Sequence, residues 1–449
     1  MLDPSIFKAY DIRGVHPGQL DGETARRIGR ALIDYLGGGR IAVGRDARVS
    51  SPEIANGFIR GALSQGGSVI DIGIIGTDMM YYFVGRHGLD GGAMITASHN
   101  PKQWNGIKMV RRGALALSGD AGIKEIKDAI LAGRFADDPG PRLEVARQSI
   151  SEDYAAHCLS FIDASRVPRL KVVLDTGNGM GAVGASAILG RLPLEMLKMY
   201  FELDGTFPNH PPDPLEEANR RELVERVRSE RADLGIAWDG DADRCFFIDD
   251  TGEFVPGDFV TALLGEAFCR REKGARIVYD VRASHAVKDR IAAAGGLALM
   301  HRVGHAFIKK RMRDENAAFG GEVSGHYYFR DNWYADNGMI PALLMLELIG
   351  REGRTLSEIL RPLRERYFIS GEINSRVHDV AGALARLETR YKGARISTLD
   401  GISVDYPDWH FNVRPSNTEP LLRLNLEAFT RGQMEARRDE VLGLIRGSA

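Results

Sequence analysis

Short apolar runs alternate with longer amphipathic segments over the first three quarters of the chain. Residues 41–43, 69–72 and 93–95 are apolar runs of strand length. Between the first two, Ser50 precedes an amphipathic segment that continues to about Leu63. This predicts a helix capped by serine, with proline and glutamate in its first turn. Strands that alternate with helices predict a mainly parallel α/β sheet.

The strand pattern repeats at the scale of a domain. Segments 40–46, 171–175 and 276–280 each begin with a basic residue, continue as an apolar run and end at an aspartate. Each is followed by a helical pattern and then by another apolar strand and a polar loop. These loops are residues 96–101, 239–244 and 321–326. Because ligands bind at the carboxyl ends of parallel strands, three such units predict three functional loops at equivalent positions.

Turn-rich segments mark the predicted domain boundaries. The 449 residues suggest roughly three domains by length alone. Residues 137–141, with two prolines and a glycine, have the composition of a linker, and residues 249–252 that of a turn. After Arg366 the chain begins a strand at 367–369 and resembles a smaller α+β unit. The predicted domains are 1–141, 142–250, 251–366 and 367–449.

The composition is that of a soluble globular protein. The 59 basic and 61 acidic residues nearly balance, which argues against a nucleic-acid or membrane-surface partner. The amino terminus lacks the pattern of a signal peptide, and the longest uncharged stretch, 176–190, is too short to span a bilayer. Three scattered cysteines are too few for a disulfide framework or a zinc site and indicate a reducing cytoplasm.

Glycine is the one departure from ordinary composition. It accounts for 52 of the 449 residues, about 12% against a usual value near 7%. An excess of glycine indicates tight turns or loops where the backbone approaches a ligand closely.

The loop Asp239-Gly240-Asp241-Ala242-Asp243-Arg244 carries three carboxylates separated by small residues. The small spacers allow the carboxylates to converge, where they repel one another unless a cation binds. Hard oxygen ligands favour Mg²⁺ or Ca²⁺, and Mg²⁺ often adds phosphate oxygens to its coordination shell. An EF-hand is excluded, because its sixth position requires glycine and its twelfth glutamate. A solvated acidic turn is the structural alternative.

The loop Thr96-Ala97-Ser98-His99-Asn100-Pro101 places a serine at a predicted strand end. Such a serine can act as a nucleophile or carry a phosphoryl group. The same residues also suit a turn whose side chains satisfy local backbone groups. Lys108 follows closely and could contact a phosphate.

Two later loops complete the set of candidates. Segment 321–326 places Glu322, Ser324 and His326 between glycines, which suits hydrogen bonding to sugar hydroxyls and proton transfer near neutrality. Segment 414–420 offers an arginine, hydroxyls, an amide and backbone N–H groups that match the oxygens of a phosphate, although a capped turn would look the same.

Segment 177–182 fits the G-x-G-x-x-A form of a dinucleotide-binding turn. The acidic ribose partner expected about 20 residues further on could only be Glu202, which stands in a poor context. Tight turning and close helix packing explain these glycines without a nucleotide.

The four loops in this order resemble those of the α-D-phosphohexomutase family, and in particular its bacterial phosphomannomutase/phosphoglucomutase members. The resemblance extends from the segment Phe7-Lys8-Ala9-Tyr10-Asp11-Ile12-Arg13-Gly14 to the final loop. It implies three related mixed α/β domains and a smaller C-terminal α+β domain around a central cleft. It also implies a phosphoserine enzyme that interconverts hexose 1-phosphates and hexose 6-phosphates through a hexose 1,6-bisphosphate, which also acts as the activator.

The resemblance assigns roles to particular residues. Ser98 would carry the phosphoryl group and join Asp239, Asp241 and Asp243 around Mg²⁺, and Arg13, Lys108 and His326 would assist catalysis, with His326 or Lys108 managing the hydroxyl proton. Glu322 and Ser324 would grip sugar hydroxyls. The remaining expected substrate contacts are Tyr10, Arg244, Arg282, His305, Arg414, Ser416, Asn417 and Thr418. Arg282 departs from the lysine that close relatives carry there, so its role differs in geometry.

Val323 favours glucose and mannose phosphates as substrates, because phosphoglucosamine mutases usually carry glutamine at that position. Phosphoglucosamine mutase activity is therefore the first alternative. A haloacid-dehalogenase-type phosphatase, suggested by Asp239-x-Asp241, and a non-catalytic sugar-phosphate sensor are the others. The sequence shows no exposed apolar seam, so we expect a monomer whose partners are phosphosugars.

Overall fold

The computed structural model describes residues 2–119, 121–133, 135, 145–416 and 421–447. The chain forms two compact units, one of Met1–Val255 with Ser324–Leu356 and one of Pro256–Val323 with Ser357–Ala449. The predicted linker at 137–141, and with it the first predicted boundary, lies outside the described residues.

The first unit begins with a mixed sheet covered by helices. Its described strands are β1 (Ile12–Val15), β2 (Arg40–Arg45), β3 (Ser68–Ile74), β4 (Gly91–Ile95), β5 (Trp104–Arg111), β6 (Leu115–Ala116) and β7 (Val145–Arg147). Its described helices are α1 (Gly22–Leu36), α2 (Ser51–Ser64), α3 (Thr77–His87), α4 (Ile123–Leu131) and α5 (Ser151–Leu159). The strand order is β1-β5-β4-β2-β3-β7, with β6 beside β5. The centre is parallel as predicted, and β5, an internal strand, runs antiparallel to both of its neighbours, β4 and β1.

Helix α2 lies where the pattern predicts it, but the predicted serine cap is wrong. The Ser50 side chain makes no capping hydrogen bond. Instead its Oγ accepts from Asn105 Nδ2 at 2.8 Å. Glu53 lies in the first turn of α2 and accepts from the Gly22 N–H at 3.0 Å, at the start of α1. Side chains that the local pattern assigns to the helix end therefore bind groups that are distant in the sequence.

A second sheet completes the amino-terminal part of this unit. It contains β8 (Leu170–Asp175), β9 (Leu194–Met199), β10 (Leu234–Trp238), β11 (Cys245–Ile248) and β12 (Phe254–Val255), with α6 (Gly181–Ile188) and α7 (Arg221–Glu230). The order is β12-β11-β10-β8-β9, and β8 runs parallel to both β9 and β10. Val173, Leu223 and Val227 form part of the core between this sheet and α7.

The second unit begins with a third parallel arrangement. Its elements are α8 (Gly257–Arg271), β13 (Arg276–Asp280), α9 (His285–Ala293), β14 (Leu297–His301), α10 (His305–Glu315) and β15 (Phe319–Gly321). Strand β13 runs parallel to β14 and to β15. The chain then contributes β16 (Tyr327–Phe329) and α11 (Met339–Glu352) to the first unit, before α12 (Leu356–Arg364).

The carboxyl-terminal residues of the second unit form an antiparallel sheet with two helices. The strands are β17 (Phe368–Ile369), β18 (Ile373–Arg376), β19 (Arg395–Ser397), β20 (Ile402–Asp405), β21 (Trp409–Pro415) and β22 (Leu421–Ala428), and the helices are α13 (Val380–Arg390) and α14 (Arg431–Arg446). The order is β17-β22-β21-β20-β19, with β18 also beside β22. Phe411, Leu424, Leu387 and Val441 belong to its core.

The predicted threefold repeat is visible in the sheets. Strands β2, β8 and β13, which contain the three similar sequence segments, each lie between two parallel neighbours. The candidate loops follow β4, β10 and β15, and each of these is a parallel neighbour of the repeated strand. The three loops therefore occupy equivalent positions in three related α/β arrangements. Among the described helices, none combines the length and the apolar character needed to cross a membrane.

Candidate active site

The candidate nucleophile lies on a strained loop after β4. Ser98 has a left-handed φ of 51°, and such a conformation costs a non-glycine residue about 1–3 kcal/mol. Its N–H donates to Thr96 Oγ1 at 2.9 Å, and its carbonyl accepts from Arg48 Nη2 at 2.8 Å. The residue is 3% exposed. The loop therefore fixes the direction of one buried hydroxyl.

Arg48, which sequence analysis did not single out, holds this loop in place. Its guanidinium is buried, pairs with Asp46 at 3.2 Å and donates to the carbonyls of Asn100, Pro101 and Trp104 at 2.6, 2.9 and 3.0 Å. A planar guanidinium with five N–H donors is suited to collecting several carbonyls at once. Asp46, which ends the first repeated segment, is the sequence feature that could have revealed Arg48. Its carboxylate pairs with the buried guanidinium group of Arg48.

The serine loop meets the aspartate loop that follows β10. Asp239, Asp241 and Asp243 are all buried, and one oxygen from each lies within 4.8 Å of the others. Ser98 Oγ donates to Asp239 Oδ2 at 2.8 Å. A Cβ on Gly240 would lie 2.5 Å from the Ser98 carbonyl oxygen, so only glycine allows this approach.

Two cations offset the charge of the aspartate loop. Lys108 Nζ lies 2.7 Å from Asp241 Oδ2 and 2.6 Å from Asp243 Oδ2. Burial alone would lower the pKa of Lys108, but the two carboxylates hold that pKa well above its usual value. Arg244 Nε donates to Asp239 Oδ2 at 2.9 Å. Lys108 is therefore a fixed positive charge in this environment.

The donor set fits a hard divalent cation. Asp241 Oδ2 accepts from Thr77 Oγ1 at 2.5 Å as well as from Lys108, whereas Asp241 Oδ1 is buried and has no hydrogen-bond partner among the described residues. Burial, with the neighbouring aspartates, raises the pKa of Asp239 although Arg244 opposes the rise. Three carboxylates and a hydroxyl supply the oxygen ligands that Mg²⁺ prefers.

Thr77 is a second residue that the sequence pattern did not reveal. It is the first residue of α3, and its backbone N–H donates to the Asp241 carbonyl at 2.9 Å. Both polar groups of Thr77 therefore bind one aspartate of the loop. Its position three residues after the end of β3 could have revealed it, because the carboxyl ends of parallel strands share one sheet edge.

A histidine and a serine from residues 324–326 face the aspartate loop. His326 Nε2 lies 3.6 Å from Asp243 Oδ1, and its Nδ1 lies 3.1 Å from Ser324 Oγ. The backbone of His326 forms a bridge with Arg244, which fixes the loop beside the aspartates. An imidazole near neutrality can exchange a proton in such a position.

Arg13 and His99 complete the surroundings of Ser98. Arg13 Nε donates to Asp11 Oδ2 at 2.7 Å, and Nη1 donates to the Ala97 carbonyl at 3.3 Å. Burial and the nearby cations lower the pKa of His99 well below its usual value, so its imidazole is neutral. Tyr10 lies half-buried just before β1.

The glycine-rich turn at 177–182 serves packing. A Cβ on Gly179 would lie 2.7 Å from the Gly240 carbonyl oxygen, and the Met180 N–H donates to that oxygen at 3.0 Å. Asn178 Nδ2 donates to the Glu202 carbonyl at 2.9 Å. The turn thus supports the aspartate loop from behind, which agrees with the packing explanation of these glycines.

A second group of predicted site residues lies in the second compact unit. Asp280 holds Arg282 with two contacts, from Nε at 3.0 Å and Nη2 at 2.9 Å. Glu372, which sequence analysis missed, contacts Arg282, Arg414 and Arg423 at 3.4, 3.6 and 3.1 Å. Burial alone would raise the pKa of Glu372, but the three guanidinium groups lower it. Glu372 and Asp280 thus hold a cluster of three guanidinium groups, which are of the type that binds anions.

Glu322 belongs to the same unit and follows β15. It is buried, and its Oε1 accepts from the Gly304 N–H at 2.9 Å, beside His305 at the start of α10. Ser416 follows β21 directly. Asn417 and Thr418 lie outside the described residues.

The chain matches four family models in succession. They describe the α/β/α domains I, II and III and the C-terminal domain of phosphoglucomutase/phosphomannomutase, over residues 4–137, 152–252, 256–367 and 372–444. The matches include each of the loops described above.

Relatives match over nearly the full length. A phosphomannomutase of Escherichia coli is 40% identical over 456 residues, covering 99% of this chain and 100% of the relative. A protein of Xanthomonas campestris pv. campestris named for phosphohexose mutases is 42% identical over 446 residues, covering 98% and 99%. The crystal structure of a phosphoglucomutase/phosphomannomutase family protein from Burkholderia thailandensis superposes with a TM-score of 0.90 at 32% identity, covering 99% of this chain and 98% of that one. The chain therefore belongs to the phosphoglucomutase/phosphomannomutase family of α-D-phosphohexomutases.

Proposed function

We propose that the protein interconverts hexose 1-phosphates and hexose 6-phosphates through a phosphoserine at Ser98 and a hexose 1,6-bisphosphate. The observation that carries this proposal is the buried Ser98 hydroxyl, which its strained loop presents to Asp239 at 2.8 Å. Phosphoglucomutase/phosphomannomutase relatives of the whole chain support the same reaction class.

The reaction consists of two phosphoryl transfers. In the first, the bond between phosphorus and Ser98 Oγ breaks and a bond to the free sugar hydroxyl forms, while the hydroxyl proton passes to a base. The bisphosphate then turns end for end, and its other phosphoryl group returns to Ser98. Asp239, Asp241 and Asp243 would hold Mg²⁺ with the serine phosphate, where the bound ion would neutralise charge on the transferred group.

His326 is the better of the two candidate bases. Lys108 lies within 2.7 Å of Asp241 and 2.6 Å of Asp243, so its ammonium group is held by carboxylates and adds positive charge near the transferred group. His326 faces Asp243, which can stabilise an imidazolium. Arg13, tied to Asp11 and to the serine loop, supplies further positive charge.

The proposed substrate contacts follow the family resemblance residue by residue. We assign Glu322 and Ser324 to the sugar hydroxyls, and the phosphate that does not react to the loop beginning at Arg414. The further proposed contacts are Tyr10, Arg244, Arg282, His305, Ser416, Asn417 and Thr418. Arg282 is fixed by Asp280 through two contacts, so it offers a planar and rigid guanidinium at the position where the family resemblance leads us to expect a lysine.

Glucose and mannose phosphates are the proposed substrates, with hexose 1,6-bisphosphate as activator. The aliphatic Val323 and the phosphomannomutase relatives support them over glucosamine phosphate. The contact between Ser98 and Asp239 argues against a phosphatase in which an aspartate of this loop is the nucleophile. The complete set of serine, aspartates and histidine argues against a non-catalytic sensor.

The organisation around this activity is also proposed. We propose the domain limits 1–141, 142–250, 251–366 and 367–449, which the four family segments support. The three cysteines are free and buried, which favours a reducing compartment such as the cytoplasm. We propose a monomer.

An assay on purified protein with Mg²⁺ and trace glucose 1,6-bisphosphate tests the proposal. We expect glucose 1-phosphate to become glucose 6-phosphate, and mannose 1-phosphate to become mannose 6-phosphate, without steady release of inorganic phosphate. Asp241→Asn, which removes one charge from the aspartate loop, should abolish both conversions. Conversion of neither sugar by the wild-type protein, or release of phosphate instead, would contradict the proposal.

A further inference from the structure

Two histidines and two carboxylates form a cluster in the second compact unit that the proposed reaction does not use. Asp405, His410 and Glu427 are direct cross-strand partners on β20, β21 and β22. Cross-strand partners project from the same face of a sheet, so the three side chains form one row. His285, the first residue of α9, joins this row, because its backbone N–H donates to Glu427 Oε1 at 3.0 Å. We call these four residues the histidine cluster.

The separations within the histidine cluster match those between ligands of one metal ion. His410 Nε2 lies 3.3 Å from Glu427 Oε1, and His285 Nε2 lies 3.2 Å from Asp405 Oδ1. His285, His410 and Glu427 each offer one donor atom, and these three atoms lie within 4.8 Å of one another. Bonds of about 2.0–2.1 Å in a tetrahedral zinc site place neighbouring ligand atoms about 3.3 Å apart. The donor atoms are therefore already close enough to share one ion once the imidazole rings turn toward it.

The cluster also contains buried polar atoms with unmet bonding capacity. Glu427 is 2% exposed, and among the described residues its Oε2 and His410 Nε2 have no hydrogen-bond partner. A buried polar atom left unpaired costs about 1–3 kcal/mol, which a metal bond would recover.

We propose that the histidine cluster is a binding site for a divalent transition-metal ion of the zinc type, with His285, His410 and Glu427 as ligands and Asp405 as the fourth. Mixed imidazole and carboxylate ligands suit Zn²⁺ rather than Mg²⁺, which prefers an all-oxygen shell. A cavity of roughly 200 Å³, lined by both histidines and Asp405, gives the ion access.

Metal binding has two structural consequences. The imidazole rings are stacked, with centroids 3.8 Å apart and planes at 7°, so binding rotates them until both ring nitrogens point at one ion. His285 lies in the segment that matches domain III, and the other three ligands lie in the segment that matches the C-terminal domain. The ion would therefore cross-link these two segments and stabilise them together.

Zinc titration of the full-length protein tests this site. Saturating Mg²⁺ is included to occupy the aspartate loop, and binding is measured by calorimetry and by metal analysis after gel filtration. We expect one Zn²⁺ per chain, and an affinity at least about tenfold weaker in His285→Gln and in His410→Gln. The control is His378→Gln, which alters an exposed histidine outside the cluster and should bind Zn²⁺ as the wild type does.

The visible absorption of bound Co²⁺ distinguishes metal ligation by the histidine cluster from a role of these residues in packing alone. Co²⁺ bound to nitrogen and oxygen ligands in tetrahedral geometry gives visible absorption bands, which we expect in the wild type and in His378→Gln but not in either cluster variant. Mutase activity in the absence of zinc verifies that each variant is folded. The proposal is overturned if the wild type binds no Zn²⁺ at saturating Mg²⁺, or if His285→Gln and His410→Gln bind it with unchanged affinity.

Discussion

At the scale of single residues, the site depends on partners that are distant in the sequence. Ser98 and the three aspartates stand out because their types and spacing suggest chemistry. Arg48, Thr77 and Glu372 do not, since an arginine, a threonine and a glutamate acquire their roles only from the groups that folding brings to them. Arg48 illustrates this, because its role is to donate hydrogen bonds to backbone carbonyls within residues 98–104.

Thr77 gives a direct prediction at this scale. Its hydroxyl binds Asp241 Oδ2 and so fixes the orientation of this carboxylate, whose Oδ1 is buried and unpaired among the described residues. Thr77→Val should therefore raise the Mg²⁺ concentration needed for half-maximal activity by about 10–100-fold. Thr77→Ser keeps the hydroxyl and should behave as the wild type. Identical Mg²⁺ dependence of Thr77→Val and wild type, measured with correctly folded proteins, would show that this contact has no positioning role.

The raised pKa of Asp239 predicts how Mg²⁺ binding depends on pH. A carboxyl whose pKa is raised in the metal-free protein holds a proton over part of the range below neutrality, and that proton must leave before the metal binds. Affinity for Mg²⁺ should therefore increase from about pH 6 to pH 8. Calorimetry in buffers of different ionisation enthalpy should detect proton release on binding. An affinity that is constant with pH, without proton release, would count against protonation of the loop.

At the scale of elements, hydrophobic pattern predicts strand and helix positions well and side-chain partners poorly. Strands β2, β3 and β4 and helix α2 lie where the pattern places them, because their apolar residues face the core. Ser50 stands at the N-cap position without a capping hydrogen bond, and its hydroxyl accepts from Asn105 of β5, a partner that local pattern does not reveal. The hydrophobic pattern also does not predict that β5 runs antiparallel to its neighbours. A strand buried on both faces is apolar throughout, whichever way it runs.

Close packing of α1 and α2 explains part of the glycine excess, in addition to the glycines of the site. A Cβ on Gly57 would lie 2.0 Å from the Gly22 carbonyl oxygen, and one on Gly61 would lie 1.9 Å from that of Arg26. These contacts are between backbones, so neither helix can yield by turning a side chain.

Gly61→Ala should therefore lower the free energy of unfolding by about 1–3 kcal/mol, despite the better helix propensity of alanine. Gly432→Ala is the matched control, because Gly432 also lies in a helix but faces open space, with no neighbouring atom within 4 Å of where its Cβ would stand. Chemical denaturation of both variants measures the difference. Equal stability of the two variants would refute the packing argument.

At the scale of the whole molecule, a repeated α/β unit supplies three loops of different chemistry. The loop after β4 carries the serine, the loop after β10 carries the aspartates, and β15 leads into Glu322. The order of these loops along the chain was sufficient to indicate the family, which the four family segments then established. Contacts among loops could not be read in the same way, because they depend on how successive sheets pack.

Phosphorylation of Ser98 is the central claim, and intact mass spectrometry tests it most directly. After incubation with glucose 1,6-bisphosphate and Mg²⁺, the wild-type protein should carry one phosphoryl group, an increase of about 80 Da, which glucose 6-phosphate should remove. Ser165→Ala, which alters an exposed serine outside the site, should retain the increment. Ser98→Ala should show none and should lose mutase activity. An undiminished increment in Ser98→Ala, or full activity without Ser98, would contradict the proposed mechanism.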